Sequence, residues 1–510
     1  MFLAVAVLLI AAGVAPVLYW GGNHDVAWLL YVARRALDGE RLYRDIVEIN
    51  PPLIVVLSMP AVLVSRLTGV TDLTVFDLGL AALAVGVVAF ASRQLRRALG
   101  TEHVAERRAL VLLCLVALFP VAVGDFGQRE HLLLALVLPY LFLTAARAEG
   151  ADTPAGEAMV AGFLAGIALA LKPFYVPFWL VSEAYLMLGR RAGPPWKRPE
   201  SVALAAVLLL YPILVLVWVP DYLRLVRQLD PVYEAFLRRS PWAIMDSALG
   251  VLPLLAVAAL ALAPAAGRFR GLRAVLAAAV ATSLLAVLLQ RKGWSYHFYP
   301  AVGEALLAFA VGLMTYARAR PARRSAKAVL LPLALAALAL DLGVVVEQRA
   351  VEALAWGRFE RGEIRDRMVP VARRYATGGS IMAFTVSPVP AFPLVNYAGV
   401  GWAMRFPSLW MIPALAARED WAAEPPAVRA AHRSPDERRL IAAVTDDFVR
   451  ERPALILEYA PPWGAPNLLG YFASADPRFA AAVRDYRLVD TIADYRFYAR
   501  PPARGGPPGD

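Results

Sequence analysis

The chain is short of two things that soluble enzymes have in quantity. Only 18% of its 510 residues are charged, and it holds one cysteine, Cys114, inside an apolar run. A single thiol excludes an internal disulfide framework and a thiolate metal site, and carries no message about redox compartment. An internal repeat and a glycine-rich nucleotide motif are also absent. With 59% hydrophobic residues and a mean hydropathy of +0.55, the composition excludes an ordinary soluble protein and points to a polytopic membrane protein. The formal charge of +11 is not the footprint of a nucleic-acid binder, because Lys and Arg recur in short clusters between apolar runs, as topology determinants do.

Apolar runs of spanning length lie at about 2–20, 73–92, 108–124, 130–146, 155–171, 174–189, 201–219, 246–266, 271–290, 299–317 and 326–346. The first exceeds a usual signal-peptide core, so it reads as an uncleaved span. Segment 52–68 is ambiguous. Counted as a span, it puts Arg93, Arg96, Arg97, Arg107 and Arg108 outside, and with them Arg318, Arg320, Arg323, Arg324 and Lys327. Read as an interfacial or re-entrant helix, it puts both clusters in the cytoplasm, beside Arg190, Arg191, Lys197, Arg198 and beside Arg268, Arg270, Arg273. The positive-inside rule therefore selects about 11 transmembrane helices. This parity gathers loops 25–50, 125–131, 172–173, 220–246 and 291–297, and everything after Val346, on the extracytoplasmic face.

The expected fold class is mainly α: a transmembrane domain over 1–346, with an amphipathic first external loop at 21–72, then a small soluble α/β domain over 347–500. In the latter, Ser434-Pro435-Asp436-Glu437 is a capping box that predicts a helix from 435 to about 451. Strands are expected at 380–386 and 454–459, and at 486–491 with 495–500 as a hairpin. The Pro- and Gly-rich tail 501–510 reads as disordered.

The most specific stretch is 23–53. It opens on His24-Asp25, continues through an amphipathic pattern that suits a short helix at a membrane surface, and closes on Tyr43-Arg44-Asp45, Glu48 and Asn50-Pro51-Pro52. An Asp soon after the first span, an amphipathic helix, then a carboxylate and Pro-Pro-Leu together resemble the first external loop of GT-C membrane glycosyltransferases. The likeness is to protein O-mannosyltransferases and the aminoarabinose transferases of lipid A, over roughly 1–346. His24-Asp25 stands where those families commonly have Asp-Glu. The resemblance implies that Asp25 is the catalytic base; the alternative is an N-cap for a helix beginning at Val26.

Three further loops hold candidates. In Gly124-Asp125-Phe126-Gly127-Gln128-Arg129-Glu130-His131, charges at the mouth of an apolar helix need a polar cavity or each other; the resemblance matches Asp125 to a second acidic site, while snorkelling is the plainer account of Arg129. Lys172-Pro173 lies between two short runs and reads equally as a phosphate ligand or a snorkelling lysine. Residues 290–300 combine Arg291, Lys292 and His297 with Trp294, Tyr296 and two further aromatics, more than an interfacial aromatic belt requires.

The expected function is transfer of a sugar from a polyprenyl-phosphate donor to an envelope glycan, lipid or protein acceptor on the extracytoplasmic face of the cell (inner) membrane. Asp25, Glu48 and Asp125 are the catalytic candidates; Arg129, His131, Lys172, Arg291, Lys292 and His297 bind the donor phosphate; Tyr43, Asn50, Trp294 and Tyr296 bind substrate. The alternative is a transporter or flippase of lipid-linked saccharides, disfavoured because the spans read as clean apart from Asp341. No cofactor is expected. A divalent metal on His24, His131 or His297 with Asp25, Glu48 or Glu130 is the lesser possibility, since no tight ligand spacing supports it.

Overall fold

A computed structural model describes residues 1–189, 192–264, 267–319, 326–421, 432–462 and 466–500. Arg190, Arg191, Arg320, Arg323, Arg324 and the 501–510 tail lie outside these. The chain forms two compact units: Met1–Tyr19, Phe76–Trp218 and Arg239–Trp356 make unit 1, and Trp20–Val75, Val219–Arg238 and Gly357–Asp510 make unit 2.

Unit 1 is helical, and each of the eleven apolar runs contains a helix. Among the described residues seven helices are long and apolar enough to cross a membrane: Phe2–Trp20, Asp72–Leu99, Arg129–Ala148, Pro199–Trp218, Phe269–Gln290, Ser295–Arg318 and Ala326–Ala376. The remaining four, Val104–Leu118, Ala155–Leu171, Val176–Leu188 and Ala248–Leu262, have only 13 to 17 residues. At 1.5 Å per residue they fall short of a hydrocarbon layer of about 30 Å. The sequence count of eleven is thus larger than the number of helices that qualify by length and composition.

Helix Arg129–Ala148 is central, with 94% of its apolar window buried, whereas Phe2–Trp20 and Pro199–Trp218 bury 17% of theirs. Helix Ala155–Leu171 meets Pro199–Trp218 through Gly162 and Gly166. A Cβ at Gly162 would fall 2.0 Å from the Glu200 carbonyl, and one at Gly166 would fall 2.7 Å from Val207 Cβ. Small residues four apart are what let two membrane helices touch backbone to backbone.

Unit 2 contains a five-stranded sheet in the order β2-β1-β3-β5-β4, where β1 is Ser380–Phe384, β2 Gly401–Trp402, β3 Leu455–Tyr459, β4 Arg487–Ile492 and β5 Tyr495–Ala499. β1 runs parallel to β2 and β3; β5 is antiparallel to β3 and to β4, its hairpin partner. Phe384, Phe448, Phe472 and Phe479 meet in the core, with ring centroids 4.5–6.3 Å apart. Helix Pro435–Glu451 starts where the capping box put it, Ser434 Oγ accepting the Glu437 N–H at 3.1 Å.

The first-loop helix, His24–Leu37, is amphipathic, with Asp25 and Arg34 part-exposed. Val26–Ala33 are all buried within unit 2, because aromatic and polar groups from the chain after Phe359 cover it. The Trp28 ring meets Phe392 edge-on at 5.0 Å, Asn396 Nδ2 donates to the Ala27 carbonyl at 3.1 Å, and the Trp402 N–H donates to Tyr31 Oη at 2.7 Å. Burial, the largest influence, pushes the Tyr31 phenol up and keeps it neutral in that bond.

Candidate active site

In unit 1 the polar groups gather where helices end. Lys172 ends Ala155–Leu171 because Pro173 follows and forces the residue before it out of helical geometry (φ −139°, ψ 84°). Helix Phe269–Gln290 ends through Arg291 in the left-handed region (φ 54°), followed by Gly293 at φ 62°. That reversal sets up the short turn Ser295–Phe298 with His297 inside it.

The ends meet around Glu130, in the first turn of Arg129–Ala148. Lys172 Nζ lies 2.6 Å from Glu130 Oε1 and donates to Gln290 Oε1 at 3.1 Å. His297 Nε2 is 3.9 Å from the same Glu130 oxygen. Glu130, Lys172, Lys292 and His297 are all buried, and Lys172, Arg129 and Lys292 are close enough to act electrostatically on the His297 imidazole. The Trp294 and Tyr296 rings stand 5.2 and 4.6 Å from the His297 ring, and Lys172 Nζ is 5.9 Å from the Tyr296 ring. Buried positive groups beside aromatic faces can hold a phosphate and an adjoining sugar or lipid stem. Arg291 is exposed; its carbonyl accepts the Arg239 N–H at 2.8 Å.

Two candidates have structural occupations. Asp125 forms a buried ion pair with Arg349, whose Nη2 also donates to the Ser295 carbonyl at 2.8 Å. Asp125 thereby anchors the His297 turn. The His131 ring is held by backbone on both sides: Nδ1 accepts the Gly127 N–H at 3.2 Å and Nε2 lies 3.0 Å from the Leu118 carbonyl. That describes a neutral imidazole with both nitrogens occupied.

In unit 2 the N-cap of His24–Leu37 is Asn23, whose side chain accepts the Asp25 N–H at 2.9 Å. The helix thus starts two residues before Val26, and the Asp25 carboxylate is not the cap. Its side chain is 36% exposed and sits 3.5 Å from His24 Nε2. Glu48 is buried and accepts from Trp28 Nε1 at 2.5 Å, the Asn50 N–H at 2.7 Å and Asn50 Nδ2 at 2.6 Å. Tyr43 (φ 69°) donates to the Asn50 carbonyl at 2.7 Å and packs on Tyr222 with centroids 4.9 Å apart. Glu48, Tyr43 and Asn50 thus knot the loop that follows the helix.

Sequence reasoning missed Arg349, Gln290 and two carboxylates inside helices read as clean. Glu183 is paired with Arg198 and accepts from Tyr140 Oη, Trp179 Nε1 and Ser201 Oγ at 3.0, 3.2 and 2.6 Å; Glu304 is buried, with Ser283 nearby. Asp341 is therefore not the main exception. The signal was available, since an acid in an apolar run must find a partner. Among the described residues no group of three or more His, Cys, Asp or Glu is placed to hold a metal ion.

The architecture is a GT-C fold, in agreement with the resemblance carried by the first loop. It is shared with ArnT from Cupriavidus metallidurans bound to undecaprenyl phosphate, at a TM-score of 0.55 and 14% identity over 99% of this chain and 98% of that one. Apo ArnT from the same organism gives 0.52 and 16% over 98% and 97%. The AglB oligosaccharyltransferase of Archaeoglobus fulgidus, in complex with an inhibitory peptide and a dolichol-phosphate, gives 0.46 and 13% over 99% and 75%. No protein-family profile matches the chain, and no curated protein matches it.

Proposed function

We propose that the protein is an inverting GT-C glycosyltransferase that moves a sugar from a polyprenyl-phosphate donor to an acceptor hydroxyl on the extracytoplasmic face of the cell membrane. The observation that carries this reading is the buried cluster of Lys172 and His297 around Glu130, with buried Lys292 acting on His297 and Trp294 and Tyr296 beside it. Buried cations in a membrane protein are expensive unless they meet a charged ligand or a pathway. The fold of ArnT, crystallised with undecaprenyl phosphate, supports the same class of donor.

In this mechanism the acceptor oxygen attacks the anomeric carbon and its proton passes to the Asp25 carboxylate. The bond from that carbon to the lipid phosphate breaks, and its electron pair stays on the phosphate oxygen. Lys172 and Lys292 stabilise the charge left there, Arg129 adds to the field, and His297 offers a ring N–H. Glu130 keeps Lys172 in place between turnovers. Glu48 and Asp125 act through the loops they tie down.

The test is transfer from a radiolabelled undecaprenyl-phosphate sugar by the full-length protein in nanodiscs, with mass spectrometry of the lipids that co-purify. Asp25→Asn is expected to lose roughly 10²- to 10⁴-fold in kcat, the range of general-base catalysis. Undiminished transfer by that variant removes Asp25 from the chemistry, and absence of any polyprenyl-phosphate sugar from the purified protein and from its turnover removes the donor assignment.

A further inference from the structure

The chain from Gly357 onward turns through an unusual element, a π-helix over Glu360–Met368. Residues five apart face different ways on an α-helix; the wider π turn brings them nearly into line, and such turns concentrate at functional sites. Here they are Glu360 and Arg365, with Arg365 Nε donating to Glu360 Oε1 at 2.8 Å. Glu360 is fully buried. Arg365 Nη2 donates to Tyr397 Oη at 2.8 Å, and Tyr397 is close enough to act on the Glu360 carboxylate. Burial pushes the Tyr397 phenol up, so its hydroxyl stays neutral beside Arg365 and Glu360.

What this trio grips is the backbone just before the Asp25 helix. The Gly22 N–H points at Tyr397 Oη at 3.4 Å. Gly21 has φ +110°, and a Cβ there would fall 2.2 Å from Glu360 Oε1, 2.2 Å from Tyr397 Oη and 2.5 Å from Arg365 Nη2. Only glycine lets the chain lie against all three groups at that dihedral. Two residues later Asn23 caps the helix, and Asp25 sits in its first turn. Gly357 repeats the close approach on the other side, where a Cβ would fall 2.5 Å from Trp20 Cγ.

We infer that Glu360, Arg365 and Tyr397 are positioning residues for Asp25: a clamp on Gly21-Gly22 that fixes the helix start and hence the bearing of that carboxylate. The inference rests on the reading of Asp25 as the base, but the geometry it claims is testable without turnover.

The one native thiol, Cys114, is buried, so Asp25→Cys in the full-length protein in detergent gives a single reporter for a water-soluble maleimide. Added to that background, Tyr397→Phe and Glu360→Gln are each expected to change the labelling rate by about five-fold, the scale of one lost hydrogen bond. Arg365→Lys, which keeps the charge, should fall between them and the parent. Tyr486→Phe is the control, removing from the same unit a buried hydroxyl bonded to the Pro453 carbonyl at 2.5 Å; it should lower the melting temperature and leave labelling unchanged. Labelling equal to the parent in the folded Tyr397→Phe or Glu360→Gln protein overturns the clamp, as does an equal change in Tyr486→Phe. Where transfer is measured, Tyr397→Phe with Asp25 intact should lower kcat by about ten-fold at an unchanged KM for the lipid donor. Full transfer by Asp25→Asn would defeat the functional reading and leave the labelling result standing.

Discussion

Replacing Lys172 separates two roles that the structure superimposes. The ammonium sits 2.6 Å from a Glu130 carboxylate that is 0% exposed, and is itself 5% exposed. Lys172→Met therefore removes a cation from the phosphate cluster and strands a buried negative charge, and breaking a buried pair from one side costs about 3–5 kcal/mol. The second loss is repaired by neutralising the partner. In Lys172→Met with Glu130→Gln, stability should return to within about 1 kcal/mol of the parent, since an apolar or neutral replacement of a whole buried pair is close to neutral. Donor binding should not return. A charge-assisted hydrogen bond to phosphate contributes about 1.5–3 kcal/mol, so affinity for undecaprenyl phosphate should stay roughly 10- to 150-fold down in both variants. Melting in detergent and titration with undecaprenyl phosphate read the two quantities on one preparation. If the double variant binds the lipid phosphate as the parent does, Lys172 is only the counter-ion of Glu130 and the reasoning fails.

Three further outcomes follow from other contacts. Arg349→Met strands buried Asp125 and frees the Ser295 carbonyl; it should destabilise unit 1 by about 3 kcal/mol and raise hydrogen exchange across 291–298, and unchanged exchange there would show that the turn is held by other contacts. Glu48→Gln turns an acceptor of three bonds into a group with an N–H₂ facing donors, for a loss of about 2 kcal/mol seen by denaturant titration; a parent-like midpoint would mean that the loop is not knotted through Glu48. At Asp436, burial works to raise the carboxyl, but hydrogen bonds and charge from Arg418 and Arg439 outweigh it and hold it below the ordinary 3.8. A lowered folded value means the stabilisation is complete above pH 3.8 and is lost as pH falls through the lowered value, so Asp436→Asn should flatten the acid limb of the melting curve below that pH and leave neutral pH as the region of greatest difference.

The parts of this architecture that were readable from the sequence are those whose cause is local. Ser434 with Glu437 announced its helix because a cap and the N–H it receives are three residues apart, and the β4–β5 hairpin could be seen because its strands adjoin. The apolar runs located the long unit 1 helices but not their lengths, because hydropathy averages across helix ends that Pro173 or a left-handed Arg291 sets residue by residue. The pairings that make the site were beyond reach. Lys172 reaches Gln290 and Asp125 reaches Arg349 across more than a hundred residues, and nothing near Arg349 distinguishes it from an ordinary juxtamembrane charge. Asp25 shows a different limit: the sequence offered it as a cap as well as a base, and the cap turned out to be Asn23, two residues earlier.

The segmented make-up of unit 2 has a consequence for biosynthesis. Its first stretch ends at Val75 and its last begins at Gly357, so ribosomes working at about 5–20 residues per second need roughly a quarter to a full minute to make what lies between. Throughout that interval the apolar side of Val26–Ala33 has no Phe392 or Trp402 to cover it. A nascent chain in this state is a natural client for a holdase or for the lipid surface itself, and truncations that stop before Gly357 should be cleared by proteases rather than accumulate.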